Sequence, residues 1–207
     1  MYQILKYLTY LRYEWAKNIR LPSDPIYSPK RVNKDMIIQT LDFFKDHAYS
    51  KQIKALILLG ASSGMRAEEM YQLNLEDIDI ENRVIHINHN PSNGQTTKTQ
   101  RSRVSFFTTE AQQALTEYLE YFNNGANLDR LFSQTHMTHI FRKAPLKAKE
   151  LRKCFSQEWD RQGGPTSIKK ILMGHSLRGD VDLSHYNSQS EEDLKKIYDK
   201  VMLQEGA

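Results

Sequence analysis

The chain has 207 residues, of which 39% are hydrophobic and 26% charged, with a formal net charge of +4 and a single cysteine. That balance supports a buried core and excludes a disordered or fibrous chain. Cys154 alone excludes an internal disulfide and a cysteine-pair zinc site, and no apolar run reaches the roughly 18 residues of a membrane span. The N-terminal stretch MYQILKYLTYLRYEW lacks a basic lead followed by an unbroken apolar run, so it does not read as a signal peptide. These features read as a soluble intracellular protein. The basic charge permits a polyanionic partner without requiring one.

Ile4, Leu8, Leu11 and Trp15 recur at helical spacing and predict a helix over residues 2–19. Pro22, Pro25 and Pro29 then mark an extended linker. Residues 1–32 are therefore separated from a main domain at 33–207, either as the tail of an upstream domain or as an element docked on the core. Asn33 is a candidate N-cap for a helix carrying Met36, Ile37, Leu41 and Phe44. KQIKALILLGASS has a continuous apolar run from Ala55 to Leu59, which predicts a buried helix ended by Gly64. A short helix follows from Met65.

Val84, Ile85 and Ile87 predict strand, and Asn93-Gly94 predicts a two-residue hairpin turn. Thr96 to Phe107 reads as the returning strands of a basic hairpin carrying Lys98, Arg101 and Arg103. Helices are predicted to follow from Thr109 as a cap, over 136–144, 147–161 and 166–173, and in a final amphipathic stretch with Leu194, Ile197, Tyr198, Val201 and Met202. The expected fold is mainly α with one small antiparallel sheet (α+β).

Taken singly, the chemically capable residues are weak signals. Arg66 with Glu69 one turn on reads as a surface ion pair, and His175 after Gly174 as a capping histidine. In order and in context they carry more. GASSGMRAEEMYQLNLEDIDI contains Gly64, Arg66, Glu69, Leu73, Leu75, Asp77 and Asp79; TTKTQRSRVSF contains Lys98; ELRKCF contains Arg152; LMGHSLRGDVDLSHY contains His175 and Tyr186. These four stretches, over roughly residues 33–203, resemble the arginine boxes, hairpin lysine and G-H…Y ending of the tyrosine recombinase (phage-integrase) family. Within that family they resemble the integrases of archaeal spindle-shaped viruses.

The resemblance implies a site-specific recombinase that cleaves and rejoins double-stranded DNA through a 3′-phosphotyrosyl intermediate, without metal, ATP or other cofactor. It implies Tyr186 as nucleophile, Arg66 and Arg152 as phosphate-binding groups, and Lys98 as general acid. Lys149 and His175 would complete the hydrogen bonds to the phosphate, and Glu69 would orient Arg66. Arg101, Arg103, Arg142, Lys143, Lys147 and Lys153 are the expected DNA contacts. It further implies a tetramer on attachment-site DNA, a monomer as an isolated catalytic fragment, and a place on the host nucleoid rather than at a membrane. The sequence departs from the family in having Lys149 where most members have His, in a His175-to-Tyr186 gap about two residues longer than usual, and in His185 preceding the tyrosine. Tyr198 is the alternative nucleophile. A type IB topoisomerase-like enzyme and an inactive DNA-binding module on the same fold are the alternative functions. His136 and His139 have metal-like spacing but no evident third ligand.

Overall fold

The computed structural model describes residues 2–19, 30–122, 130–175 and 189–203. Two compact units divide the chain, residues 1–31 and 32–207. In the first, helix α1 (Tyr2–Tyr10) is followed by a separate 3-10 turn, Glu14–Asn18. The single helix expected over 2–19 is thus broken. Arg12 takes a left-handed φ of 60°. Arg12 N–H then donates to the Thr9 carbonyl and Tyr13 N–H to that of Leu8. This is the paired bonding of a Schellman motif, which closes a helix when one residue turns left-handed. Apolar periodicity carried straight across that turn, so spacing alone did not reveal it.

The second unit begins with α2 (Lys34–Phe43), where Asn33 accepts from Met36 N–H as an N-cap should. Helix α3 (Ser50–Ser63) is the central element, with Ile53, Ala55, Leu56, Ile57 and Leu59 fully buried. It packs on α5 (Thr109–Phe122) and α7 (Ala148–Arg161). Short α4 (Ala67–Tyr71) leads to a three-stranded antiparallel sheet, β1 (Ile78–Asp79), β2 (Val84–Ile87) and β3 (Arg103–Phe106), in that order. Among the described residues, helices α6 (Gln134–Ile140), α8 (Thr166–Met173) and α9 (Glu191–Met202) follow. The mainly α fold with a small antiparallel sheet is what the sequence predicts.

The hairpin between β2 and β3 differs from expectation. Only Gly94 of the Asn93-Gly94 pair has positive φ, 78°. A type I′ turn needs it at both central residues. Instead Pro91 opens a 3-10 turn through Asn93, and Asn90 pairs with Gln95 across a four-residue loop. Strand pairing resumes only at Arg103, because Thr97 to Gln100 form a second tight turn. There the Thr97 hydroxyl bonds both N–H and carbonyl of Arg101, and Gln100 sits at φ 55°. Buried Asp77 anchors the hairpin base by accepting from Asn74 N–H, Asn88 and Gln95. Thr109 is the first residue of α5 rather than its cap.

Helix α9 packs on its own core. Leu194, Tyr198 and Val201 join Phe106, Phe155, Trp159 and Leu172 in a second apolar cluster. Each such large side chain contributes about 1.5–3 kcal/mol when buried. Arg83 clamps the helix through both oxygens of Asp199 at 2.9 Å, while also donating to the Phe107 carbonyl. No helix among the described residues is long and apolar enough to cross a membrane.

Candidate active site

The site is organised around the end of α3. A helix terminus leaves its last carbonyls without intrahelical partners. Here three side chains from distant elements take them. Tyr198 of α9 donates to the Ser62 carbonyl at 2.8 Å, Ser105 of β3 to Ser63 at 2.6 Å, and Arg152 of α7 to Gly64 at 2.6 Å. Gly64 is left-handed (φ 66°), and a Cβ there would lie 2.4 Å from the Phe155 ring. Only glycine allows both the turn and the close packing. The turn sends the chain directly into Arg66, the residue preceding α4.

Glu69 gathers the next layer. Its carboxylate, only 2% exposed, accepts from Arg66 N–H at 2.8 Å and Arg66 Nη1 at 2.9 Å. It also accepts from Arg103 Nη1 at 3.0 Å and Nη2 at 2.6 Å. Burial pushes its carboxyl up, but Arg103 and then Arg66 outweigh this and hold it below its ordinary value. A carboxyl held low stabilises the fold above its unfolded value and loses that contribution as pH falls through its folded value. Wild type should therefore lose stability on acidification below the ordinary carboxylate range. Glu69→Gln should start less stable and show a flatter pH dependence there, as measured by thermal unfolding across that range.

The end of α8 closes the cluster. His175 N–H donates to the Lys170 carbonyl and Gly174 N–H to Ile171, a Schellman motif with Gly174 left-handed at φ 65°. This fixes the backbone from which His175 projects. Arg66 Nη2 approaches the Gly174 carbonyl at 3.4 Å. Burial first, then Arg152 and Arg66, depress the His175 pKa, which favours the neutral imidazole. Burial and Arg66 also lower Arg152, to about 10, against the pull of Glu69, so it stays charged at neutral pH. Arg66 and Arg152 thus lie near enough to His175 to favour its neutral form, although the three come from segments far apart in sequence.

The other candidate residues fall in several places. Lys149 is exposed on the first turn of α7, one turn before Arg152. Lys98 is exposed within the turn from Thr97 to Gln100. Arg101, Arg142 and Lys143 are exposed, and Lys153 is half-buried. Two expected DNA contacts are turned inward instead. Arg103 has a side chain only 8% exposed, because it pairs with Glu69. Lys147, half-buried, donates through Nζ to the carbonyls of Phe141, Arg142 and Ala144, capping the 3-10 turn there. Tyr198 is corrected as well: it is fully buried, its hydroxyl is bonded to Ser62, and burial drives its pKa strongly up, so it cannot act as a nucleophile in this fold. Tyr186 and His185 lie outside the described residues. Among the described residues, no group of three or more metal-ligating side chains forms, and His136 instead stacks edge-on against Tyr49.

The Phage integrase family pattern matches residues 30–198. The chain belongs to the phage integrase, or tyrosine recombinase, family. Members of this family cleave and rejoin DNA strands without metal or ATP. Several solved structures share the recombinase fold. The XerA recombinase is 18% identical over 98% of this chain and 75% of its own, with a TM-score of 0.60. The Tn1549 transposon integrase in complex with transposon right end DNA is 18% identical over 91% of this chain and 71% of its own, with a TM-score of 0.62. An integrase from mycobacterium phage Brujita is 16% identical over 93% and 64%, with a TM-score of 0.61. At these identities the likeness establishes the recombinase fold. No curated protein sequence matches the chain.

The pairing of Arg103 with Glu69 is not legible in the sequence, because the two lie 34 residues apart on different elements. The one available signal was a basic residue at an inward-facing register of a strand whose neighbours Ser105 and Phe106 are buried.

Proposed function

We propose that the chain is the catalytic part of a site-specific recombinase in which Arg66, Arg152 and His175 bind the scissile phosphate and Tyr186 attacks it. The observation that supports this reading is that Arg66, held by Glu69, reaches the Gly174 carbonyl just before His175 while Arg152 reaches the Gly64 carbonyl just before Arg66, at the junction of α3, α4, α7 and α8. A phosphoryl transition state concentrates negative charge on its non-bridging oxygens. Two guanidiniums offer planar, forked donors for such oxygens. Arg152 uses one amino group on Gly64 and keeps its other donors.

In the proposed step the Tyr186 phenol oxygen bonds to phosphorus as its proton passes to the neutral imidazole of His175, and the bond from phosphorus to the 5′-oxygen breaks. Lys98, exposed on its turn, donates a proton to that departing oxygen. The product is a 3′-phosphotyrosyl ester and a free 5′-hydroxyl. Rejoining reverses the step, so ester bonds are exchanged and no external energy source is needed. Lys149 occupies the family's usual histidine position and adds a donor to the same phosphate. On the resemblance of its boxes, the recombinase serves the genome of an archaeal spindle-shaped virus, acts on the host nucleoid and assembles as a tetramer on its attachment site, and as an isolated catalytic fragment it is monomeric without DNA.

The test is capture of the covalent intermediate on a pool of nicked duplexes randomised in sequence, without metal or ATP. The nick lets the short strand beyond the break diffuse away. A protein–DNA adduct on a denaturing gel supports the reading, and its absence in a preparation that binds DNA points to the inactive-module alternative.

DNA affinity is proposed to come from exposed Arg101, Arg142 and Lys143 with half-buried Lys153. Neutralising phosphates releases counterions, so log affinity falls with log salt by about 0.9 per contact. Arg142→Ala and Lys143→Ala should each reduce that slope by about one. Lys147→Ala should leave the slope unchanged and lower the unfolding temperature instead, because Lys147 is occupied by backbone carbonyls.

A further inference from the structure

None of the roles above uses Arg103 as the structure holds it. Its Nε donates to the Leu172 carbonyl near the end of α8 at 2.9 Å, and its two amino groups fork onto the two oxygens of Glu69. A Cβ on Gly174 would lie 2.9 Å from Cδ, Cζ and Nε of Arg103, so the helix end rests directly against this guanidinium. One side chain of β3 therefore touches both the carboxylate that holds Arg66 and the turn that bears His175.

Charge gives this contact a consequence. Glu69 alone would offset the charge of Arg66 at the point where a phosphate must be gripped. Arg103 supplies a second positive charge on the side away from solvent, and it occupies the carboxylate oxygens in a bidentate geometry that an ammonium cannot reproduce. We infer that Arg103 is a positioning residue for strand transfer: it holds the Glu69 carboxylate from behind, leaving Arg66 its charge toward the phosphate, and keeps the His175 turn beside it. This rests on the phosphate-binding reading of Arg66 and His175. A guanidinium so enclosed does not itself reach DNA.

The test uses the full chain and the nicked duplexes on which wild type forms an adduct. Arg103→Gln and Arg103→Lys are compared for duplex Kd, its salt slope, and single-turnover adduct formation. Thermal unfolding serves as a control. Arg103→Gln is expected to lower the single-turnover rate constant by about tenfold to 10²-fold, the scale of a small misplacement in an active site. Its Kd and salt slope should stay within about twofold of wild type, since no phosphate contact is lost. Arg103→Lys should recover part of the rate by restoring charge without the fork. A purely structural role would reduce the amplitude of the single turnover, as fewer molecules fold, and leave its rate constant intact; that result overturns the inference. So does a weakened Kd with the slope reduced by about one, which would put Arg103 on a phosphate. If Arg103→Gln does not fold, slower adduct formation by Arg103→Lys at unchanged Kd supports the inference, and a wild-type rate overturns it. Adduct from wild type but not from Tyr186→Phe, with Arg103→Gln at the wild-type rate, removes this inference alone. No adduct from wild type on any duplex removes the underlying reading and this inference with it.

Discussion

Tyr186→Phe is expected to abolish the covalent protein–DNA adduct while changing DNA affinity little. The substitution removes one hydroxyl, the only atom of that side chain asked to bond to phosphorus. Affinity is expected to rest on the basic side chains that neutralise phosphates, and these remain. An ordinary phenol ionises near pH 10, so the attacking oxygen depends on neighbouring cations to stabilise the developing phenolate. Arg66 and Arg152 are the cations suited to this, and the neutral imidazole of His175 is suited to take the phenol proton. The matched control is Tyr198→Phe. That hydroxyl is buried and donates to the Ser62 carbonyl, so its loss leaves a helix-end acceptor unpaired. The cost should be about 1–3 kcal/mol, seen as a lower unfolding temperature. The adduct should persist in the folded fraction. Adduct retained in Tyr186→Phe would move the nucleophile elsewhere. Adduct lost in both variants, with each still folded, would break the distinction between them.

Arg152→Ala and Arg66→Ala should each slow cleavage by about 10²–10³-fold, equivalent to about 2.7–4 kcal/mol of transition-state stabilisation, as removal of an oxyanion donor does. The two differ in what else they disturb. Arg152→Ala strips the Gly64 carbonyl of its donor at the end of α3, so stability should fall along with rate. Arg66→Ala leaves Glu69 still gripped by Arg103 through two hydrogen bonds, so stability should fall less. Single-turnover kinetics on the nicked duplex, with unfolding temperatures beside them, separate these effects. Cleavage near the wild-type rate in both variants would end the phosphate-clamp reading. Arg152→Lys tests geometry against charge: an ammonium keeps the charge but cannot bond Gly64 and two phosphate oxygens from one plane, so most of the rate should remain lost.

Some of this was legible from short stretches of chain. Asn33 caps α2, Gly64 ends α3 and the amphipathic pattern of α9 matches its buried face, because caps and periodicity act within a turn or two of backbone. Local rules also misled where two of them competed. Asn93-Gly94 favours a tight hairpin, but Pro91 pre-sets a 3-10 turn one step earlier and the loop lengthens. Periodicity through residues 2–19 ran across a left-handed turn at Arg12 that no glycine marked.

The sequence by itself determined the family, the order of its boxes and the helix ends that present Arg66 and His175. Those depend on residue identity and on bonding between near neighbours. Only the tertiary structure decided which cations face outward and which are held inside, and which tyrosine is removed from chemistry. Arg103 binds partners 34 and 69 residues away, and Tyr198 one 136 residues away. A buried charge or hydroxyl is stable only where a partner meets it. That partner is set by packing at long range, which no local pattern encodes.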